Sequence, residues 1–187
     1  VRDNYPDGKA DLFSVFMYVA EDRLTDCGLY GMINMQSWMF LSSFENLRMH
    51  VLENTVIENM LHLGPRTFDE LSGEVVQNTA FVSRNTKPYA NTYGAYYRLV
   101  EGKDCADKER LFNENGAKIF YPSIPQSNFK KIPGSPIGYW VSEKMIEAFQ
   151  KECIGTVLTT REGMATADNE RFLSLWGEVR AFHFSKL

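Results

Sequence analysis

Residues 55–84 read TVIENMLHLGPRTFDELSGEVVQNTAFVSR. Two apolar runs, 55–63 and 74–84, flank a polar stretch that carries Gly64, Pro65, Gly73 and a single aromatic, Phe68. Each run has the length and composition of a strand. No helical pattern separates them, so they are expected to pair antiparallel, because parallel neighbours need a crossover of about a dozen residues or more. A connection of roughly ten residues is long for a hairpin, and long loops at the edge of a rigid sheet often carry function. Phe68 stands among Arg66, Thr67, Asp69 and Glu70, where no core position is evident.

Upstream, DLFSVFMYVAEDRL places Leu12, Val15, Phe16, Val19 and Ala20 on one helical face, with Asp7 or Asp11 near the N-terminus of a helix spanning 7–26. Residues 29–35, LYGMINM, form a short apolar run readable as a buried strand. Ser37 then stands as a cap for a helix in WMFLSSFENLRMHVLEN, whose Leu41, Phe44, Leu47 and Val51 repeat at helical spacing. The order helix, strand, helix, strand, loop, strand is that of half an α/β sheet.

Downstream the pattern loosens. The Tyr-rich segment 91–102 reads as a strand, and 104–116 as a helix ended by Gly116. Pro133, Gly134 and Pro136 make 129–140 a turn-rich joint, followed by a helix over 142–152 capped by Ser142. From Gly155 onward the chain reads as a loop feeding a new element.

Bulk properties fit a folded protein of 187 residues with 44% hydrophobic and 24% charged side chains. No apolar run approaches the ~18–20 residues of a membrane helix, and no basic-then-apolar leader is visible, so a cytoplasmic, non-membrane protein is expected. Cys27, Cys105 and Cys153 are odd in number and far apart, which suits a reducing compartment better than a disulfide framework. His50, His62 and His183 are equally scattered, so no metal site is expected. Residues 1–83 carry 5 basic and 12 acidic groups, a net of −7, and 84–187 carry 15 and 12, a net of +3. A DNA-facing surface would therefore fall in the C-terminal part. The opening VRDNYPDGKADLF, without a methionine, reads as a segment of something longer.

No GxGxxG, phosphate loop, HExxH or GxSxG signature is present. Five stretches come in one order: ADLFSVF, GLYGMINMQSWMFLSSFENLR, HLGPRTFDELSGEVVQNTAFVSRN, FKKIPGSPIGYWVSE and GMATADNERFLSLWGEV. From about Asn4 to Val179 this series closely resembles adenine-specific DNA methyltransferases of the BREX phage-defence type and the related type IIG restriction–modification enzymes. Ala167 stands where that family usually has glycine.

The resemblance implies an α/β fold: the C-terminal half of a class I, Rossmann-like methyltransferase sheet of seven strands with an antiparallel last strand, then a mixed α/β extension. In it 29–35 is the fifth strand, 55–63 the sixth and 74–84 the seventh. The implied partition is 1–90 catalytic domain, 91–152 extension and joint, and 153–187 the start of a target-recognition domain. The resemblance also implies S-adenosylmethionine as cofactor and double-stranded DNA as partner, with the methyl group passing to an adenine flipped out of the duplex. The family's glycine motif and its Asn/Asp-Pro-Pro-Tyr/Phe motif both lie upstream, so no catalytic residue is named in this segment and the segment alone is expected to be inactive.

Supporting residues can be named, each beside a plainer role. Phe68 matches the aromatic that lies against the flipped base; otherwise it folds back on the domain surface. Phe13 and Phe16 match a motif lining the cofactor pocket, yet helical spacing equally makes them core. Trp38 follows a strand at its carboxyl end, a ligand-facing place, or it closes the core. Lys130 and Lys131 meet phosphates or are simply solvated. The sheet cut at 29–35 exposes an edge through which the segment could self-associate. Two other readings remain open: a non-catalytic DNA-binding or scaffold module of a phage-defence assembly, and a class I methyltransferase acting on RNA or protein.

Overall fold

The computed structural model describes residues 5–8, 11–68, 76–114, 116, 118–152 and 154–159. Its centre is a five-stranded sheet of β1 (Leu29–Met35), β2 (Val56–Gly64), β3 (Asn78–Arg84), β4 (Tyr93–Arg98) and β5 (Phe120–Pro125), ordered β1-β3-β2-β4-β5. The two runs that opened the sequence reading pair antiparallel, Met60 facing Phe81 and Leu61 facing Ala80. β3 also pairs antiparallel with β1, Ile33 facing Ala80, so it lies between two strands that run the same way. β3 starts at Asn78 rather than residue 74; residues 69–75 lie outside the described ones, and Val76 and Gln77 lead into the strand.

Helices α1 (Leu12–Asp22) and α2 (Glu45–Asn54) precede β1 and β2. Helix α1 is shorter than the expected 7–26, and a separate 3₁₀ turn occupies Pro6–Gly8. Its inward face also differs: Ser14, Val15 and Met17 are buried, whereas Leu12 and Phe16 are exposed. Polar bonding sets that rotation. The Ser14 hydroxyl donates to the Gly8 carbonyl at 2.8 Å, and the Asn34 amide donates to the Met17 sulfur at 3.4 Å.

The helix expected from Trp38 onward is instead two 3₁₀ turns, Gln36–Met39 and Ser42–Phe44, before α2 begins at Glu45. Ser37 sits inside the first turn and caps nothing. Here a buried arginine competes with helix formation. Arg48 donates to the carbonyls of Trp38 (2.9 Å) and Leu41 (2.5 Å), and through Nε and Nη2 to that of Gly134 (3.0 and 2.7 Å). The Trp38 and Leu41 carbonyls are ones that an α-helical ladder through this stretch would use. Of the expected stripe, Phe44, Leu47 and Val51 are buried against the sheet, and Leu41 is exposed.

Strand β1 is half-buried rather than buried. Tyr30 and Asn34 point inward, while Leu29, Gly31 and Ile33 face solvent beside a shallow groove shared with Asn59, Leu61 and Val82.

Beyond residue 90 the sheet continues. β4 pairs parallel with β2, Leu61 facing Tyr97, and β5 pairs antiparallel with β4. The sequence reading did not foresee β5, whose Pro122 and Pro125 argue against a strand; prolines are tolerated there because β5 is an edge. Helix α3 (Cys105–Glu114) lies between β4 and β5 as expected. A 3₁₀ turn, Gln126–Lys131, follows β5, and buried Gln126 ties it to the start of β2 by accepting from Ile57 N (3.0 Å) and donating to Thr55 O (2.7 Å). Helix α4 (Glu143–Phe149) is capped by Ser142, as its sequence indicates. Tyr96, Phe129, Ile137 and Tyr139 share one core with Trp38, Leu52, Met60 and Phe81. Residues Val1–Lys151 form one compact unit; Glu152–Leu187 form a second, of which the short helix α5 (Ile154–Val157) is described.

Candidate functional site

β1, β2 and β4 run the same way, so their carboxyl ends share one edge of the sheet. At that edge β1 is followed by Gln36, β2 ends on His62, Leu63 and Gly64, β4 ends on Arg98, and Gln77 leads into β3. Buried His62 joins three of these segments. Its Nδ1 lies 3.0 Å from the Tyr139 hydroxyl and its Nε2 lies 2.8 Å from Gln36 Oε1. Gln36 Nε2 in turn donates to Gln77 Oε1 at 2.5 Å.

An amide oxygen only accepts, so this arrangement puts the imidazole proton on Nε2 and leaves Nδ1 to accept from Tyr139. The result is a one-way chain of donors from Tyr139 through His62 and Gln36 to Gln77. Burial, with the positive charges of Arg98 and Lys108 nearby, presses the His62 pKa down to about 4, so the ring is neutral near pH 7. Lys108 is buried beside it. Its ammonium donates to the carbonyls of Leu63 (2.7 Å), Leu99 (3.0 Å) and Gly102 (3.1 Å), which fastens the ends of β2 and β4 together.

The loop that leaves this edge is the one carrying Phe68. Gly64 turns it with φ +69°, a left-handed conformation, and a Cβ at that position would meet Val100 Cγ1 at 3.0 Å. Arg66 is also left-handed (φ 56°), and Thr67 Oγ1 closes the turn onto the Gly64 carbonyl at 3.0 Å. Phe68 is 44% exposed. Both ends of the loop are held by the same chain of hydrogen bonds, His62 two residues before Gly64 and Gln77 just before β3.

Beside the loop's root lies an aromatic ledge. Trp140 stacks on His62 (5.8 Å between centroids, 27°), Phe40 stands tilted against both, and the Arg98 guanidinium carbon sits 5.7 Å from the Trp140 ring centre.

The residues singled out by sequence do not all gather here. Phe68 stands at this edge. Trp38 is closed in the core, its indole N–H donating to Asn34 Oδ1 at 3.0 Å and its ring packed on Phe81. Phe13 is half-buried against Phe44 (5.3 Å), and Phe16 is 54% exposed on the helix surface. Lys130 and Lys131 follow β5, whose final residue Pro125 faces Tyr93 at the start of β4. They therefore lie at the amino edge, across the sheet from Phe68. There Lys130 pairs with Glu53 (3.2 Å) and Lys131 donates to Asn128 (2.8 Å). Among the described residues no cluster of His, Cys, Asp and Glu could hold a metal ion, and no helix is long and apolar enough to cross a membrane.

Residues 2–68 match the family described as the Eco57I restriction-modification methylase. The whole chain aligns with part of two curated proteins. It is 42% identical over 188 residues to the adenine-specific methyltransferase PglX of Lacticaseibacillus casei (strain Zhang), covering 98% of this chain and 16% of that protein. It is 40% identical over 189 residues to the adenine-specific methyltransferase BrxX of Escherichia coli O9:H4 (strain HS), covering 100% and 15%. The chain is related along its whole length to a segment of these two methyltransferases. It spans about one sixth of the length of those relatives. Likeness to solved structures is looser: the type IIG restriction endonuclease BpuSI superposes with a TM-score of 0.47 at 14% identity, covering 72% of this chain and 16% of that one, too distant to transfer any residue's role.

At this edge, sequence reasoning missed Gln36, His62, Gln77, Arg98, Tyr139 and Trp140. The available signal was positional: four of them stand at or beside strand ends, and Tyr139 and Trp140 come shortly after the Pro133–Pro136 turns.

Proposed function

We propose that this chain is the C-terminal part of the catalytic domain of a site-specific DNA adenine methyltransferase. The parent enzyme transfers a methyl group from S-adenosylmethionine to an adenine flipped from double-stranded DNA, in the cytoplasm, in phage defence or restriction–modification. The likeness to those adenine-specific methyltransferases supports the reaction class. The sheet supports the class I reading, since an antiparallel strand between two parallel ones is what a displaced last strand produces. Ligands of open α/β sheets bind outside the carboxyl ends of the strands. The observation that carries the reading is the half-exposed Phe68 on a left-handed turn at that edge.

These residues do not by themselves form a pocket for S-adenosylmethionine. Trp38 is closed in the core and Phe16 faces solvent. The groove beside β1, lined by Met35, Gln36, Phe40, Leu41 and Gln77, offers no carboxylate for the ribose hydroxyls. Cofactor binding and the transfer itself are therefore assigned to the longer parent.

This chain's part is to present Phe68 to the extruded base. The hydrogen bonds from Tyr139 to Gln77 hold both ends of the loop, so the ring is positioned before DNA arrives. Its polar neighbours keep the loop hydrated until then. Phe68→Ala in the full-length enzyme is expected to weaken the hold on the base about five- to hundredfold, from a stacking contact of ~1–3 kcal/mol. Melting should shift little, because a ring this exposed lacks the burial behind the ~3–5 kcal/mol cost of truncating a core phenylalanine. A large fall in melting temperature with normal methyl transfer per folded molecule would refute the assignment.

A further inference from the structure

Trp140 is 39% exposed, although Tyr139 before it and His62 beneath it are buried. Its backbone is rigidly held. Ile137 N donates to Met39 O at 2.9 Å, Val141 N donates to Gly138 O at 3.0 Å, and the Tyr139 hydroxyl is fixed to His62. An indole fastened this firmly yet half open to water is preorganised for a ligand rather than left over from packing.

The surroundings state the ligand's chemistry. Arg98 lies over the ring, and its carboxylate contact is with Glu101 at 3.3 Å, a side chain 79% exposed and easily exchanged for another anion. Arg98 Nε is buried without a partner. Lys108 adds positive charge but has its hydrogens committed to three carbonyls, and Arg66 stands close enough to both it and the loop to raise the local potential further. A cationic guest is therefore repelled. A flat ring bearing an anion fits: a nucleobase with its phosphate.

We propose that Trp140, backed by His62, beside Phe40 and with the Arg98 guanidinium over its ring, is a second stacking platform on this edge, taking an unpaired nucleobase that replaces the guanidinium on the ring and whose phosphate then meets Arg98. The inference rests on the proposed function only in that nucleic acid is the ligand. The Trp140 platform is separate from Phe68. Its guest is a base that loses its own stacking when a neighbouring nucleotide is extruded, and aromatic stacking serves such bases without sequence preference.

The test uses the 187-residue chain and two fluorescein-labelled 12-mers read by anisotropy, single-stranded oligodeoxyadenylate and an abasic strand of equal length and charge. Trp140→Ala should weaken binding of the base-bearing strand about five- to hundredfold and change abasic binding by less than about twofold. Trp140→Phe should keep most of the affinity and guards against a folding defect in the alanine variant, with circular dichroism melting as a second check. Arg98→Gln should weaken both strands alike and flatten the salt dependence by about one released ion. The inference is overturned if wild type binds neither strand or binds both equally, or if Trp140→Ala loses both strands alike or neither. Phe68→Ala, run alongside, separates the two readings. Loss with Trp140→Ala alone upholds a platform separate from Phe68, whose own role is tested by methyl transfer in the full-length enzyme, whereas loss with Phe68→Ala alone overturns the platform.

Discussion

Lowering the pH from 7 to 4.5 places a proton on every histidine of the unfolded chain, but His62 in the folded chain resists it. Its pKa falls from the ordinary 6.5 to about 4, because the ring is buried and faces the positive charges of Arg98 and Lys108. The Tyr139 hydroxyl could rotate to accept from a protonated Nδ1, so the hydrogen bond is not what resists; the buried charge is. Between the two pKa values the unfolded state binds more protons, so stability rises with pH through that window and is lost as pH falls through it. At ~1.4 kcal/mol per tenfold change, His62 accounts for about 2–3 kcal/mol of stability lost between pH 7 and pH 4.5. His50 acts in the opposite sense. Its hydrogen bond to Glu21 at 2.7 Å raises its pKa, so its contribution is present below about 6.5 and fades as pH rises through the raised value. Comparison with His62→Gln cancels His50 and every other group, since glutamine keeps polar contacts but does not titrate. Urea unfolding at both pH values should show wild type losing about 2–3 kcal/mol more than the variant. Equal losses would mean that His62 is not buried as a neutral ring, and the directional chain from Tyr139 to Gln77 would fall with it.

Arg48→Met removes the side-chain donor of the Trp38 and Gly134 carbonyls and leaves Leu41 only its bond from Phe44 N, and should cost about 3–5 kcal/mol, lowering the melting temperature by about 10 °C. A shift of only a degree or two would show that water replaces the guanidinium. Gly64→Ala forces an L side chain into a left-handed turn and against Val100, at about 1–2 kcal/mol of strain. In the full-length enzyme it should therefore reduce methyl transfer more than its effect on melting explains, and unchanged transfer would free Phe68 from dependence on that turn.

What was legible in the sequence was local. The β2–β3 pairing follows from two strand-like runs with no helix between them, the β1 span from one apolar run, and the start of α4 from Ser142. What failed was decided by distant partners. The 3₁₀ turns at 36–44 depend on Arg48, which also binds Gly134, 86 residues away. The rotation of α1 depends on Asn34, 17 residues beyond Met17. The candidate site shows the same division. Phe68 drew notice because an aromatic in a polar loop is anomalous locally, though its proposed role came from the resemblance, and Trp38 was ambiguous because a residue after a strand can face either way. His62 meets Tyr139 across 77 residues and Gln36 across 26, so no periodicity could join them. Lys130 and Lys131 were offered as phosphate contacts on charge alone; only the direction of β5 places them at the edge across from Phe68.

The parallel pairing of β2 with β4 also bears on how such a protein could be rearranged in evolution. An exchange of coding sequence near residue 90 would divide the sheet between two strands that share backbone hydrogen bonds, Asn59 to His62 against Ala95 to Arg98, and would hand Lys108 to a new host without the carbonyl of Leu63. An exchange after Lys151 would cut between the two compact units and leave each of the five strands β1–β5 with its neighbour. Lineages that exchanged downstream sequence by recombination would therefore be expected to inherit residues 1–151 as one block, with junctions accumulating beyond it.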